Sequence, residues 1–415
     1  MNRNNITIGL FGFGCVGYGL FEVLQQTPGL QSNIKKICVK DKNKKRLISP
    51  EHFTFDKDNI LNDPEINTII ELIDDADAAY DIVVTAMKKG KAVITANKKM
   101  IAEHLEELIN LQRKHKVPLL YEAACCASIP IIRNLEEYFD NDLLESIEGI
   151  VNGSTNYILS RTSDENLSYN NALREAQERG YAETNPILDT GGFDSKYKLV
   201  ILIAHAFGLI VKPKNIFNLG INNLGEIELN YAREKGYKVK LIAFAEKNIN
   251  GNITAFVLPK FVSGNDSISS VNDVYNGIKL KSHFSDVQFF SGKGAGALPT
   301  ASAVLSDISA LSYDYRYEYK KLHQTETLER TDHVLLKVFL RHDLAVGHEI
   351  KRYFHDISEN YLNLHSGFIV GIISLENLKA ATEIHNGETS VILFDVYREN
   401  KYANSGELEC AIKNA

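Results

Sequence analysis

Cysteine is scarce. The five residues Cys15, Cys38, Cys125, Cys126 and Cys410 follow no disulfide-scaffold pattern, which points to a reducing, cytoplasmic setting. Long hydrophobic runs are missing too. No stretch is apolar enough to span a bilayer and no signal-peptide core precedes the first strand, so no membrane association is expected. Basic blocks are equally rare. The net charge is -7 and only Lys40 to Arg46 stands out as a cationic run, so nucleic acid is not an expected partner. The twelve histidines lack ligand spacing with Cys or Glu, so no zinc site is expected. What remains is an ordinary globular composition, 44% hydrophobic and 24% charged, long enough at 415 residues for two or three domains.

Ile6 to Phe11 reads as a buried strand, followed at once by Gly12-Phe13-Gly14-Cys15-Val16-Gly17 and a helix over Tyr18 to Gln26. In a strand–GxGxxG–helix unit the first glycine makes the tight turn and the second lets the backbone approach a pyrophosphate. The third lets helix and strand pack closely, and the helix N-terminus offers free N–H groups to phosphate. Gly12, Gly14, Cys15, Val16 and Gly17 are therefore candidate dinucleotide contacts; the plainer alternative is a glycine-rich structural turn. The next strand, Lys36 to Val39, runs into Lys40. A cation there favours the 2′-phosphate of NADP, while Asp41 keeps NAD open.

Strands over Thr68 to Ile73, Lys91 to Thr95 and Pro118 to Glu122 alternate with helices over Ala76 to Lys89 and up to His115. This is the pattern of an α/β, Rossmann-type doubly wound parallel sheet, here expected over residues 1–131. Such sheets bind ligands at the carboxyl ends of their strands, where Thr95, Asn97, Lys98 and Glu122 stand. After Glu122 comes a small, uncharged loop containing Cys125 and Cys126. Its carbonyls could ligate a hard cation, or the loop could simply be a tight crossing between domains.

A second, α+β domain is expected over residues 132–297, with strands Leu144 to Val151, Tyr237 to Glu246, Ile253 to Leu258 and Val287 to Phe290. The segment Asn152 to Asn156 reads as a substrate contact or a helix cap. Another glycine loop, with Gly292, Gly294 and Gly296, leads to a helix over Ala301 to Ser312. It reads as a second anion-receptive or backbone-contact site, or as a hinge; residues 298–320 are expected to pack back on the first domain. Residues 330–415 read as a small α+β module: strand His333 to Arg341, helix Gly347 to His355, strand Phe368 to Ile373, a Ser374-capped helix and strand Ser390 to Tyr397.

The chemistry is expected between Gly180 and Lys198. Asp194 and Lys198 are four apart at the entry to an apolar helix read as Leu199 to Leu209, so they share a face. Glu183 and Asp189 lie just upstream among the turn signals Asn185-Pro186 and Gly191-Gly192. On spacing alone the simpler account is a helix start with an ion pair. The accompanying GxGxxG and the strand-end Lys98 shift the balance toward a site.

Taken together, several segments resemble the homoserine dehydrogenase family over about residues 1–320: the GxGxxG loop, Thr95-Ala96-Asn97-Lys98, Ile150 to Leu159, Gly180-Tyr181-Ala182-Glu183, Asp189-x-x-Gly192-x-Asp194-x-x-x-Lys198, and Gly292 to Ala301. The resemblance implies NAD(P)H-dependent reduction of L-aspartate 4-semialdehyde to L-homoserine, on the route to threonine and methionine. It implies that Lys198 donates the proton and that Lys98 is a second lysine near nicotinamide and substrate. Glu183, Asp189 and Asp194 become substrate ligands, and Gly180, Thr95, Gly292, Gly294 and Gly296 cofactor contacts. Glu122 with the carbonyls of Cys125, Ala127 and Ile129 resembles the family's Na+ site. A homodimer or dimer of dimers follows from the same resemblance, as does an ACT-like, threonine-sensing role for the C-terminal module.

Elementary chemistry agrees. Hydride arriving at an aldehyde leaves an alkoxide, which a positioned ammonium stabilises and protonates. A second lysine nearby would lower the pKa of the first. The substrate's own ammonium needs a carboxylate partner. The chain departs from the family pattern at Asp74-Asp75, where a Gly-Gly pair is usual, and two carboxylates there are expected to repel a cofactor phosphate. Glycines are also usual where Ala127 and Ser128 stand, so the backbone of the cation loop is expected to be restricted. Two other readings compete: a dinucleotide-binding regulatory protein with a decayed site, and another semialdehyde or 2-oxoacid reductase on the same scaffold.

Overall fold

Strand β1 (Ile6–Phe11) is buried at five of its six positions, as a run flanked by strands and covered on both faces must be. It pairs in parallel with β2 (Ser32–Cys38) and β4 (Thr68–Glu71). With β3 (Phe53–Thr54), β5 (Ala92–Thr95) and β6 (Leu119–Leu120) they form a parallel sheet in the order β3-β2-β1-β4-β5-β6. The order reverses beside β1, which opens a crevice at the carboxyl ends of β1 and β4. The computed structural model describes residues 5–141, 143–248, 250–323, 328–384 and 389–397; Cys410 lies outside them.

The loop after β1 shows why it carries glycines. Gly12 has φ +92°, and a Cβ there would lie 2.5 Å from the Leu72 carbonyl oxygen; at Gly17 it would lie 2.4 Å from that of Gly12. Gly14, by contrast, has no atom within 4 Å of an added Cβ. It faces open space, the room that a close-approaching phosphate would need. The helix starts at Cys15 (Cys15–Gln25), three residues before the sequence reading, so its first N–H groups abut this loop.

Five further strands of the first unit make a mixed sheet: β7 (Leu144–Ile150), β9 (Tyr237–Lys247), β10 (Ile253–Ser263), β11 (Tyr275–Ser282) and β12 (Asp286–Lys293), antiparallel in the order β12-β11-β7-β9-β10. The short β8 (Phe217–Asn218) runs parallel on β10. β11 is an addition to the sequence reading, although Ile278 and Leu280 inward and Lys279 and Lys281 outward alternate as a strand should. Helix Ala297–Leu311 returns to the first helix, since a Cβ at Gly19 would sit 3.1 Å from the Ala297 carbonyl. It starts four residues before the expected Ala301.

The chain divides into two compact units, 1–331 and 332–415. In the second, β13 (Leu335–Asp343), β14 (Phe354–Leu362), β15 (Ser366–Ser374) and β16 (Ser390–Tyr397) are antiparallel in the order β16-β13-β15-β14. Helix Leu375–Glu383 is capped by Ser374, whose hydroxyl accepts from the Asn377 amide at 3.1 Å. The expected helix Gly347 to His355 needs correction: only Gly347–Ile350 is α-helical, one 3-10 turn follows, and β14 begins at Phe354. Pairing with β15 overrides local propensity there. The result is the β-α-β-β-α-β order of the split βαβ motif.

The glycine geometry makes a direct prediction. Gly12→Ala should destabilise the fold by at least about 1–2 kcal/mol, read as a drop in Tm. Gly14→Ala should melt like the wild type yet lose dinucleotide binding, read by the missing Tm shift on adding NADPH.

Candidate active site

Helix Phe193–Phe207 begins at Gly192, held at φ +79°, six residues earlier than the apolar pattern suggested. Asp194 and Lys198 thus lie in its first turns, both buried. Asp194 Oδ2 accepts from Lys198 Nζ at 2.7 Å and from Asn152 Nδ2 at 2.9 Å. Its other oxygen, Oδ1, meets Lys98 Nζ at 2.9 Å. Lys98 is the first residue of helix Lys98–His115, which Asn97 caps by accepting from the Met100 amide. One carboxylate therefore bridges two ammonium groups, one from beyond the carboxyl end of β5 and one from the helix behind the mixed sheet. Lys198 Nζ donates once more, to the Val151 carbonyl at 2.7 Å.

Burial alone would raise the Asp194 carboxyl, but the charges of Lys198 and Lys98 outweigh it and hold the group below the usual carboxylate range. Asp194 in turn raises Lys98 above the usual ammonium value. The anion between the two lysines thus outweighs any mutual repulsion at Lys98. Burial and the Asp194 charge raise Asp189. Asn152 ties these carboxylates together. Its Oδ1 accepts from the Thr155 amide at 2.8 Å, capping helix Gly153–Asp164, which leaves Nδ2 to donate to Asp194 and, at 2.7 Å, to Asp189.

A cleft of about 450 Å³ opens above this cluster. Glu183, Asp189, Asp194, Lys98 and Lys198 line one part of it, and Val16, Ile73, Asp74, Gly294, Ala295 and Thr300 another. Val16 of the first glycine loop and Gly294 and Ala295 of the second thus line one space with the two lysines. Not every expected contact reaches it. Thr95 is buried, its hydroxyl donating to Glu71 at 2.5 Å. Gly180 ends helix Tyr169–Glu178 and is not among the lining residues. Gly292 packs on Ser128 and Gly296 caps helix Ala297–Leu311; of the first glycine loop only Val16 lines the cleft, so Gly12, Gly14, Cys15 and Gly17 are not among the lining residues, nor is Lys40.

The Asp74-Asp75 pair also differs from expectation. Asp75 caps helix Ala76–Lys88, accepting from the Ala78 amide at 3.0 Å, and its other oxygen lies 3.4 Å from Lys40 Nζ. The Ala78 amide, then Lys40, hold its carboxyl below the usual range. Only one of the two carboxylates, Asp74, lines the cleft.

Glu122 is buried and accepts from the Ile132 and Arg133 amides, each at 2.9 Å. Burial pushes its carboxyl up to about 7. The Ile129 carbonyl accepts from the Ile131 amide at 2.8 Å. Cys126 and Ala127 are held at φ +57° and +43°, the left-handed region that glycine takes at least cost. Asp307, which the sequence reading missed, accepts from the Glu122 amide at 3.0 Å and faces Arg133 at 3.2 Å. Glu71 was likewise missed: it accepts from the Ile73 amide at 2.6 Å, and burial pushes it up to about 7. Neither residue has a spacing signal: Asp307 meets Glu122 and Arg133 from distant elements, and Glu71 meets Thr95 from the neighbouring strand.

A homoserine dehydrogenase family model matches residues 130–309, and the NAD-binding domain model of homoserine dehydrogenase matches residues 12–122. The homoserine dehydrogenase of Synechocystis sp. is 37% identical over 313 residues, 73% of this chain and 72% of that protein. That of Helicobacter pylori is 36% identical over 313 residues, 74% of this chain and 73% of its own. A solved homoserine dehydrogenase from Thiobacillus denitrificans superposes with a TM-score of 0.82 at 28% identity, covering 94% of this chain and 98% of its own. A hyperthermophilic archaeal homoserine dehydrogenase in complex with NADPH superposes at 0.65 with 25% identity, over 75% and 99%.

Glu71 yields a pH prediction. Its folded pKa of about 7 lies above the unfolded value, so the folded state binds the extra proton and stability falls as pH rises between about 4.5 and 7. Glu71→Gln should flatten that fall by roughly 2–3 kcal/mol, measured by denaturant unfolding at pH 5 and pH 8.

Proposed function

The chain belongs to the homoserine dehydrogenase family, and from that premise we propose how its residues divide the work. The reaction is the NAD(P)-dependent interconversion of L-aspartate 4-semialdehyde and L-homoserine. The observation that carries the assignment of roles is the Asp194 carboxylate gripping Lys98 and Lys198 in a cleft that Val16 of the GxGxxG loop also lines.

Lys198 is the proton donor to the aldehyde oxygen. Its ammonium is held by Asp194 and the Val151 carbonyl, which leaves its third proton for the substrate. Lys98, half-exposed at the cleft, adds a second positive charge where the alkoxide develops. Glu183, exposed on the lining, takes the substrate's ammonium, and Asp189 and Asp194 complete the anionic side. The dinucleotide, when bound, supplies or accepts the hydride. Gly12, Gly14, Val16 and Gly17 shape its pyrophosphate cradle, and open space at Gly14 fits that group.

NADP is the proposed partner. Lys40 is exposed and its ion pair with Asp75 is weak, as surface pairs are. A 2′-phosphate, with more charge than a carboxylate, can take Lys40 from Asp75. Glu122 with the Cys125, Ala127 and Ile129 carbonyls is the proposed Na+ site. Carboxylate and carbonyl oxygens suit a hard cation, and those already accepting one amide keep further lone pairs. Residues 1–131 serve the cofactor, 132–297 the substrate and dimerisation, and the C-terminal unit is an ACT-like module, supported by its β-α-β-β-α-β order. The assembly is a homodimer or dimer of dimers, and the setting is cytoplasmic. No helix among the described residues is long and apolar enough to cross a membrane.

The test is NADPH oxidation with aspartate semialdehyde. Lys198→Ala should lower kcat at least about a hundredfold; full turnover would remove the proton-donor role. Lys40→Ala should raise KM for NADPH and leave KM for NADH nearly unchanged, measured in the same assay.

A further inference from the structure

Asn276 stands near the start of β11 and is fully buried. Among the described residues, neither its Oδ1 nor its Nδ2 has a hydrogen-bond partner. A carboxamide carries an acceptor and two donors, and burying them unpaired costs free energy that an apolar side chain of the same shape would not. Such groups are rare in folded proteins and call for an explanation.

The surroundings of the amide supply one. A Cβ added to Gly294 would lie 2.1 Å from Asn276 Oδ1 and 2.5 Å from Nδ2. Asn276 thus lies directly against Gly294, and only a glycine leaves it room. Its other neighbour is the Cys126 thiol, whose long, weak hydrogen-bonding contact with the amide, after the Lys198 charge, pulls the thiol down against the dominant upward effect of burial. A thiol is a weak donor and acceptor, and does not satisfy an amide. Gly294 and Cys126 both line the cleft. They belong to separate loops that are joined at Ser128, whose amide and hydroxyl donate to the Lys293 carbonyl at 3.2 and 2.9 Å. Cys126 and Ala127 are held in left-handed backbone, so this loop has a conformation to relax from.

We propose that Asn276 is a positioning residue for the cofactor: its amide is held in reserve beneath the two loops and bonds to their backbone N–H and C=O groups when they settle onto a bound dinucleotide. A hydrogen bond missing from the free protein and made in the complex favours the complex by its full worth. The inference rests on the cleft being the dinucleotide site and assigns the second glycine loop a specific latch. Asn276 touches neither substrate nor the reacting atoms in this account; it acts through the Gly294 and Cys126 backbone.

The experiment uses Asn276→Leu, near-isosteric and apolar, with Asn276→Ala as a second variant. Without cofactor, the Leu variant should melt at or above the wild-type temperature, because it loses an unpaired buried amide. With saturating NADPH its Tm should rise less than the wild type's. KM for NADPH should increase about tenfold, while kcat and KM for aspartate semialdehyde stay within about twofold. The Ala variant should show the same rise in KM for NADPH, whatever its own Tm. Wild-type KM for NADPH in both variants, or a lower Tm in the Leu variant with an undiminished NADPH shift, would overturn the proposal and make Asn276 a packing residue. A wild-type protein that oxidises no NADPH with aspartate semialdehyde would instead overturn the assignment of the cleft, and this latch with it.

Discussion

One buried carboxylate holds two lysines together, and the cleft is built around that fact. Asp194 meets Lys198 at 2.7 Å and Lys98 at 2.9 Å. Without it two ammonium groups would face each other at a partly buried site, where like charges repel more strongly than in bulk solvent. Removing the anion from such a cluster leaves uncompensated charge, at a cost of about 3–5 kcal/mol. The same contact fixes geometry, because Lys98 follows β5 of the parallel sheet and Lys198 belongs to the helix that packs behind β9.

The far end of that helix is anchored too. His205 Nδ1 lies 2.6 Å from Glu136 and its Nε2 lies 2.8 Å from the Tyr121 hydroxyl, just after β6. Tyr121 also meets the Tyr319 hydroxyl at 2.8 Å, all of it buried. The helix that carries Asp194 and Lys198 is thus tied to the segment after β5 at its start and to the segment after β6 at its end. Glu122, Asp307 and Arg133 extend the connection to the helix that follows the second glycine loop. Placement of the two lysines therefore depends on buried polar contacts that hold only while fully paired.

Local signals were legible in the sequence. Strand, GxGxxG and helix stand next to one another, and each glycine's role is visible at Gly12, Gly14 and Gly17. The four-residue spacing of Asp194 and Lys198 is itself enough to imply their contact on one helix face. Element starts were less legible: Gly192 and Gly296 look like breakers yet cap helices, so both helices begin earlier than their apolar runs. Long-range partners were not legible at all. Nothing near Asn152 announces Asp189 and Asp194, and nothing near Lys40 announces Asp75. Asp75 reads as a threat to phosphate until its capping role and its cation are seen. Thr95, at the predicted strand end, faces Glu71 in the interior rather than the cleft. In the second unit the expected helix runs two residues into β14 and the rest of that strand carries no local signal, because its partner β15 lies outside any local window.

The measurement that bears most directly on this account is the turnover of a folded Asp194→Asn enzyme. Asparagine keeps the shape and can accept a hydrogen bond, but it removes the charge that both lysines share. If that charge organises the site, kcat should fall at least about a hundredfold while NADPH still raises the variant's Tm. A kcat close to that of the wild type would contradict the central role given to Asp194.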